Sequence, residues 1–304
     1  MSGDDAFFLP TRDGYQATAL TRGPWDPHCQ HAGPPTALIG REIERLAASD
    51  ALVLPDTASA RVRESPNGED EGSSGWLVGR LTCEILRPIP IDVMAVTVRV
   101  VRPGRRVCHV EAELHCGSGE EVVRARAWLV RRGEIELPAG FSSEDEQSPS
   151  WQAARLPEGF KVPPAPGPST EIDFFPMAEE SGYHTAMEVR FAEGSFLDPG
   201  PATAWMRMGH PLVAGERPSP LQRVLVAADS GSGVGATLDS TRYLFMNVDL
   251  SVHLHRMPSG EWVCLKATTT PEPTGLGVCD TALYDERGPI GRAVQTLLIA
   301  ERDC

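Results

Sequence analysis

The sequence predicts an α+β protein built from two similar halves, each an antiparallel sheet with one helix lying on its face. Three observations carry this. Runs with a two-residue apolar period recur in both halves. One segment in each half, ahead of those runs, has a helical period. A stretch rich in acid and proline, residues 142–170, divides the chain into 1–141 and 171–304. A helix on a curved antiparallel sheet buries the apolar face of both.

In the first half, residues 34–46 read as a helix with prolines at its first turn. Residues 64–75 (ESPNGEDEGSSG) are polar, acidic and rich in Gly and Ser, and read as a mobile surface loop. Strand-like runs follow at 81–86, 93–101, 107–115 and 121–130. In 107–115, Cys108, Val110, Ala112 and Leu114 face one way, and His109, Glu111, Glu113 and His115 the other. That alternation marks a strand with one wet face. The acidic patch SSEDEQ and the run VPPAPGPST then form a spacer, because proline removes backbone donors and stiffens the chain.

In the second half, residues 220–228 place Leu221, Val224, Leu225 and Ala228 on one helical stripe. Ser219 is the expected N-cap, Pro220 the first helical residue, and Gly231 and Gly233 lie just past the end. Strand-like runs follow at 243–255, 262–270, 278–284 and 290–299. Arg87 and Arg256 each end the first strand of their half, and Arg124-Ala125 and Arg292-Ala293 each sit in the last. The offsets, 256 − 87 = 169 and 292 − 124 = 168, point to a duplicated unit.

Composition excludes several classes. Twenty-eight basic against 42 acidic side chains give a net charge of −14, which argues against a nucleic-acid surface or adhesion to an anionic membrane. No apolar run is long enough to span a bilayer, and MSGDDAFFLP lacks the basic-then-apolar pattern of a secretory leader. The seven cysteines are odd in number and scattered, which fits a reduced cytoplasm better than a disulfide framework. Only Lys161 and Lys266 are lysines, a coding bias with little bearing on function.

Polar residues at apolar positions are the candidates for chemistry. Asp229 lies four residues after Leu225 and eight after Leu221, on the buried stripe, at the helix end where the dipole disfavours a carboxylate. It reads either as a base or as a cap for the turn that follows. Gln295 shares a strand face with Ala293, Leu297 and Ile299. Its buried amide needs partners, catalytic or structural, whereas the first half has Ala127 at the equivalent place. Asn247 begins NVDLSVHLHR, where the two-residue period groups it with Asp249, Ser251, His253 and His255, away from Leu250, Val252 and Leu254.

His31-Ala32-Gly33-Pro34-Pro35 precedes the first helix. A glycine there lets a ligand approach free backbone N–H groups that can bind an oxyanion, or it is an ordinary helix start. His253 and His255 lack a third ligand at zinc-like spacing, so no metal is expected. The run from Gly231 to Gly235 follows a helix and lacks the Lys-Ser/Thr of a phosphate loop. No nucleophile elbow of the form G-x-S-x-G is present.

Five stretches resemble the acyl-CoA thioesterase II-like superfamily: HAGPPTALIGREIE, RPIPIDVMAVTVRVVRPGRRV, PSPLQRVLVAADSGSG, NVDLSVHLHRMPSGEWVCLKA and LYDERGPIGRAVQTLLI. The resemblance implies a double hot-dog, two tandem antiparallel sheets each wrapped around a central helix, with the catalytic residues in the C-terminal unit. It implies an Asp, Thr and Gln trio holding a water. The family's Asp falls on Asp229 and its Gln on Gln295, while Asn247 stands where the family has Thr. Asn keeps both a donor and an acceptor for that water.

The implied reaction is general-base hydrolysis of an acyl-CoA or carrier-bound acyl thioester. Asp229 accepts a proton from water held by Asn247 and Gln295, and His31 and Gly33 lie on the substrate and oxyanion side. The acyl chain occupies an apolar tunnel between helix and sheet. No cofactor is required, and hot-dog sheets associate edge to edge, which implies a homo-oligomer, most simply a dimer. The alternatives are an acyl- or polyketide-binding protein without turnover, or a dehydratase or cyclase on a thioester-bound chain. The last needs a histidine beside Asp229; the sequence places none there, and His31 could contribute only from across the two halves, so this reading ranks last.

Overall fold

The computed structural model describes residues 5–49, 52, 75–133, 135–136, 163–167 and 180–302. The acidic loop at 64–75, apart from Gly75, and the spacer at 142–170, apart from 163–167, lie outside the described residues.

The first half contains β1 (Phe8–Pro10), β2 (Tyr15–Ala17), α1 (Gly33–Ala48), β3 (Trp76–Ile85), β4 (Val93–Arg102), β5 (Val107–His115) and β6 (Glu121–Arg131). The second opens with a short α2 (Tyr183–Ala186), then β7 (Met187–Glu193), β8 (Ala202–Met208), α3 (Pro220–Ala228) and α4 (Gly231–Val234). It closes with β9 (Tyr243–Asn247), β10 (Asp249–Leu254), β11 (Val263–Pro271), β12 (Leu276–Asp285) and β13 (Gly288–Glu301).

The strands form one 13-stranded sheet in the order β1-β2-β4-β5-β6-β3-β10-β13-β12-β11-β8-β7, with β9 also on β13. The two sheets read from the sequence are thus joined edge to edge through β3 and β10. Outward from that seam the orders correspond: β3, β6, β5, β4, β2 on one side and β10, β13, β12, β11, β8 on the other. The register at the seam is symmetric too. Thr82 pairs with Ser251, flanked by Arg80 with His253 and Glu84 with Asp249. Thr82 and Ser251 are 251 − 82 = 169 residues apart, the sequence repeat itself, so the pair sits on a local two-fold axis. Their hydroxyls hydrogen-bond at 3.0 Å.

The two long helices pack together between the flanking strands. Leu221, Val224, Leu225 and Ala228 of α3 are buried, as the helical period requires. Each such Leu or Val contributes about 1.5–3 kcal/mol by leaving water. Ser219 caps α3 by accepting from the Gln222 N–H at 3.1 Å. Close approach of the helices depends on glycine. A Cβ on Gly40 would lie 2.4 Å from Leu225 Cδ1, and one on Gly33 would lie 2.4 Å from the Val226 carbonyl oxygen. Gly33, expected to admit a ligand, instead admits the neighbouring helix.

The run expected to be a single strand over 243–255 is two. Asn247 pairs with Leu297 on β13, but Ser251 pairs with Val294, a shift of one residue at Val248 and Asp249. The Asp249 carboxylate fills this bulge by accepting from the Thr296 N–H at 2.6 Å. The shift turns Asn247 to the inner face, opposite the grouping that an unbroken two-residue period gives.

Candidate active site

Asp229 caps α3 in αR geometry (φ −66°, ψ −19°) and is 4% exposed. The chain then folds sharply into α4, where Gly231 lies against β12 and β13. A Cβ there would come within 2.4 Å of Thr281 Oγ1 and 3.1 Å of Gln295 Oε1. Glycine therefore lets the turn reach the sheet and brings Asp229 to Gln295.

Gln295, buried on β13, spends its whole amide on this turn. Its Nε2 donates to the Asp229 backbone carbonyl at 3.0 Å and to Asp229 Oδ1 at 3.3 Å. Its Oε1 accepts from the Ser232 N–H at 3.0 Å. The tie to the neighbouring loop read from the sequence is present, and the same amide reaches the Asp229 carboxylate. Asn247, turned inward by the bulge, donates from Nδ2 to Asp229 Oδ1 at 2.8 Å. Two amide donors, Asn247 Nδ2 and Gln295 Nε2, thus converge on one carboxylate oxygen.

The other oxygen faces the first half. His31 Nδ1 lies 3.0 Å from Asp229 Oδ2. The imidazole stacks on the Tyr183 ring with centroids 3.8 Å apart and planes 1° from parallel. The Tyr183 hydroxyl donates to the Val226 carbonyl at 2.8 Å and lies 2.9 Å from Ser230 Oγ. Burial pushes the His31 pKa down, and the Asp229 charge only partly offsets that. Burial likewise raises the Tyr183 hydroxyl and pushes the Cys83 thiol up to about 12, so neither ionises near neutrality. Gly33, placed from sequence on the oxyanion side, has its N–H 3.2 Å from His31 Nδ1 and is not among the residues lining the cavity.

A cavity of about 550 Å³ opens beside this cluster, walled by both halves. His31, Asp229, Ser230 and Asn247 are among its polar lining, and Ile85, Ile89, Met187, Met206, Leu244 and Met246 among its apolar lining. Exposed lining residues, among them Asp26, Leu86 and Arg87, mark where it meets solvent. An apolar bay with a few convergent polar groups suits a ligand that is a chain with one reactive polar end. Among the described residues no cluster of His, Cys, Asp and Glu could hold a metal, and no helix is long and apolar enough to cross a membrane.

The structure thus gathers Asp229, Asn247, Gln295 and His31. The N-terminal parts of the lining, such as Ile85 and Ile89, and the stacking partner Tyr183 were not singled out in the sequence. Tyr183 sits on a four-residue helix that no periodicity marks.

Two family models match the chain: the acyl-CoA thioesterase N-terminal domain over residues 21–130 and the acyl-CoA thioesterase C-terminal domain over residues 157–299. A search of curated protein sequences returns no match. Among solved structures, a protein provisionally assigned as a thioesterase II from Thermobifida fusca is similar at a TM-score of 0.62 and 14% identity, covering 97% of this chain and 96% of that one. A hot dog fold protein of unknown function from Alicyclobacillus acidocaldarius is similar at 0.61 and 15% identity, covering 99% and 98%. Acyl-CoA thioesterase II TesB2 from Mycobacterium marinum is similar at 0.52 and 13% identity, covering 75% and 82%. At these identities the likeness is one of fold.

Proposed function

The chain belongs to the acyl-CoA thioesterase II-like family, and on that premise we propose that it hydrolyses acyl-CoA or carrier-bound acyl thioesters by general-base activation of a water. The observation that carries this reading is the convergence of Asn247 and Gln295 on Asp229 Oδ1 at the wall of an apolar cavity. A positioned base takes a proton from the attacking water, and the Asp229 carboxylate with the His31 imidazole beside it stands at the cavity wall where such a group is needed. The cavity takes the acyl chain. Asn247, where the family has Thr, supports the reading as a donor that reaches the carboxylate directly. No enzyme-bound acyl intermediate and no cofactor enter this reaction.

The architecture proposed with it is a double hot-dog, units 1–141 and 171–304 joined by 142–170, supported by the mirrored strand order about the β3–β10 seam. A cytoplasmic homodimer is the proposed state.

The test is release of free thiol from a panel of acyl-CoAs of graded chain length. Turnover that peaks at one range of lengths is expected. Tight binding with no thiol released at any length would overturn hydrolysis in favour of an acyl-binding role. A second reading draws on the imidazole 3.0 Å from Asp229: loss of water from a 3-hydroxyacyl thioester. It predicts an enoyl thioester with the thioester bond intact, which the same panel, extended to 3-hydroxyacyl-CoAs, distinguishes.

A further inference from the structure

His31 brings an imidazole from the first half onto a carboxylate of the second. Its Nδ1 is 3.0 Å from Asp229 Oδ2 and 3.2 Å from the Gly33 backbone nitrogen. One nitrogen cannot both donate to Asp229 and accept from Gly33. The carboxylate decides the matter. Asp229 Oδ1 already takes two amide donors, which leaves Oδ2 to face His31, and a charge-assisted bond at the shorter distance outweighs a neutral one. Nδ1 therefore carries the proton and Nε2 the lone pair. Stacking on Tyr183, itself tied to Val226 and Ser230, fixes the ring plane. Nε2 has no hydrogen-bond partner among the described residues, and His31 lines the cavity with Asp229 and Asn247.

We propose that His31 is the proton-transfer residue of the site, working through Nε2 with Asp229 as the group that orients it and stabilises its charged form. This rests on the thioesterase reading and moves the proton-accepting role from the Asp229 carboxylate, where the family resemblance puts it, to His31 Nε2. A water oxygen forms the new bond to the thioester carbonyl carbon, its proton passes to Nε2, and the carbonyl π pair moves onto oxygen. When the tetrahedral adduct collapses, the C–S bond breaks with its electron pair on sulfur. The sulfur takes the proton back from Nε2, leaving as thiol. The carboxylic acid product loses its remaining proton to solvent. The imidazolium formed between the two steps is stabilised by Asp229, the logic of a His–Asp pair in acyl transfer. The arrangement also makes the site depend on both halves, since the imidazole and the carboxylate that orients it come from different repeats.

The experiment measures thiol release by the full chain and by His31→Asn, using the acyl-CoA that the wild-type protein turns over fastest. Asn keeps a donor where Nδ1 stood and removes the base. The expected result is a kcat lower by about 10²- to 10⁴-fold with KM changed by less than about threefold. Imidazole added to His31→Ala is expected to recover part of that loss, which a purely structural role would not allow. His31→Gln takes the place of the Asn variant if the latter melts early. A folded His31→Asn or His31→Gln protein within about threefold of wild-type kcat would overturn the assignment while leaving hydrolysis standing. A wild-type protein that releases no thiol from any acyl-CoA would overturn both.

Discussion

At the scale of residues, the site is a carboxylate whose two oxygens are claimed from opposite sides. Asn247 and Gln295 hold Oδ1, and His31 faces Oδ2. Asp229 and Gln295 were legible in the sequence because each breaks an apolar stripe of known period, and burial leaves such a polar group in need of a partner. The pairing of His31 with Asp229 was not legible, since it depends on how two distant segments dock. Burial holds the His31 pKa below the ordinary histidine value. The unfolded chain then binds the proton more readily than the native one. Its contribution to stability is complete above the ordinary value and is lost as pH falls through it towards the depressed native value. Thermal unfolding followed as pH is lowered from neutrality should show a falling midpoint, and the fall should be shallower in His31→Asn. An equal slope in both proteins would contradict the buried neutral imidazole.

At the scale of elements, regular alternation predicted well and its interruption did not. Strand β5 matches its sequence pattern residue for residue, with Cys108, Val110, Ala112 and Leu114 inside. The run through Asn247 fails at Val248 and Asp249 because a bulge changes the parity of every side chain before it. Strand β8 is illegible because it is buried along most of its length, leaving no alternation to detect, whereas the alternation of β7 (MEVRFAE) was there to be read and was missed. The bulge has a functional consequence. Asp249 holds it open through the Thr296 N–H, and only the bulged register turns Asn247 towards Asp229. Asp249→Ala should therefore cost about 1–3 kcal/mol, the range for an orphaned partner, and lower kcat, although Asp249 does not line the cavity. Asp249→Asn, which keeps an acceptor, should lose less of both. Chemical denaturation and thiol release on the two variants check this, and unchanged kcat in the Ala variant would contradict it.

At the scale of the molecule, the proposed duplication ties the fold to the site. The sequence offsets of 169 and 168 reappear as a seam whose central pair, Thr82 and Ser251, are 169 residues apart. Merging into a single sheet was not legible, because edge pairing is set by backbone groups common to every strand. Gly33 and Gly40 let the two helices approach until the first half delivers His31 to the second half's Asp229. Divergence between the repeats, Gln295 against Ala127, confines the polar cluster to one side of the axis. The central claim is that Asp229 drives the chemistry, and one comparison addresses it most directly: thiol release by Asp229→Asn beside wild type, with the unfolding midpoint of each. The account predicts a loss of about 10²- to 10⁴-fold in kcat with a native-like midpoint. Undiminished turnover by a folded Asp229→Asn protein would contradict it.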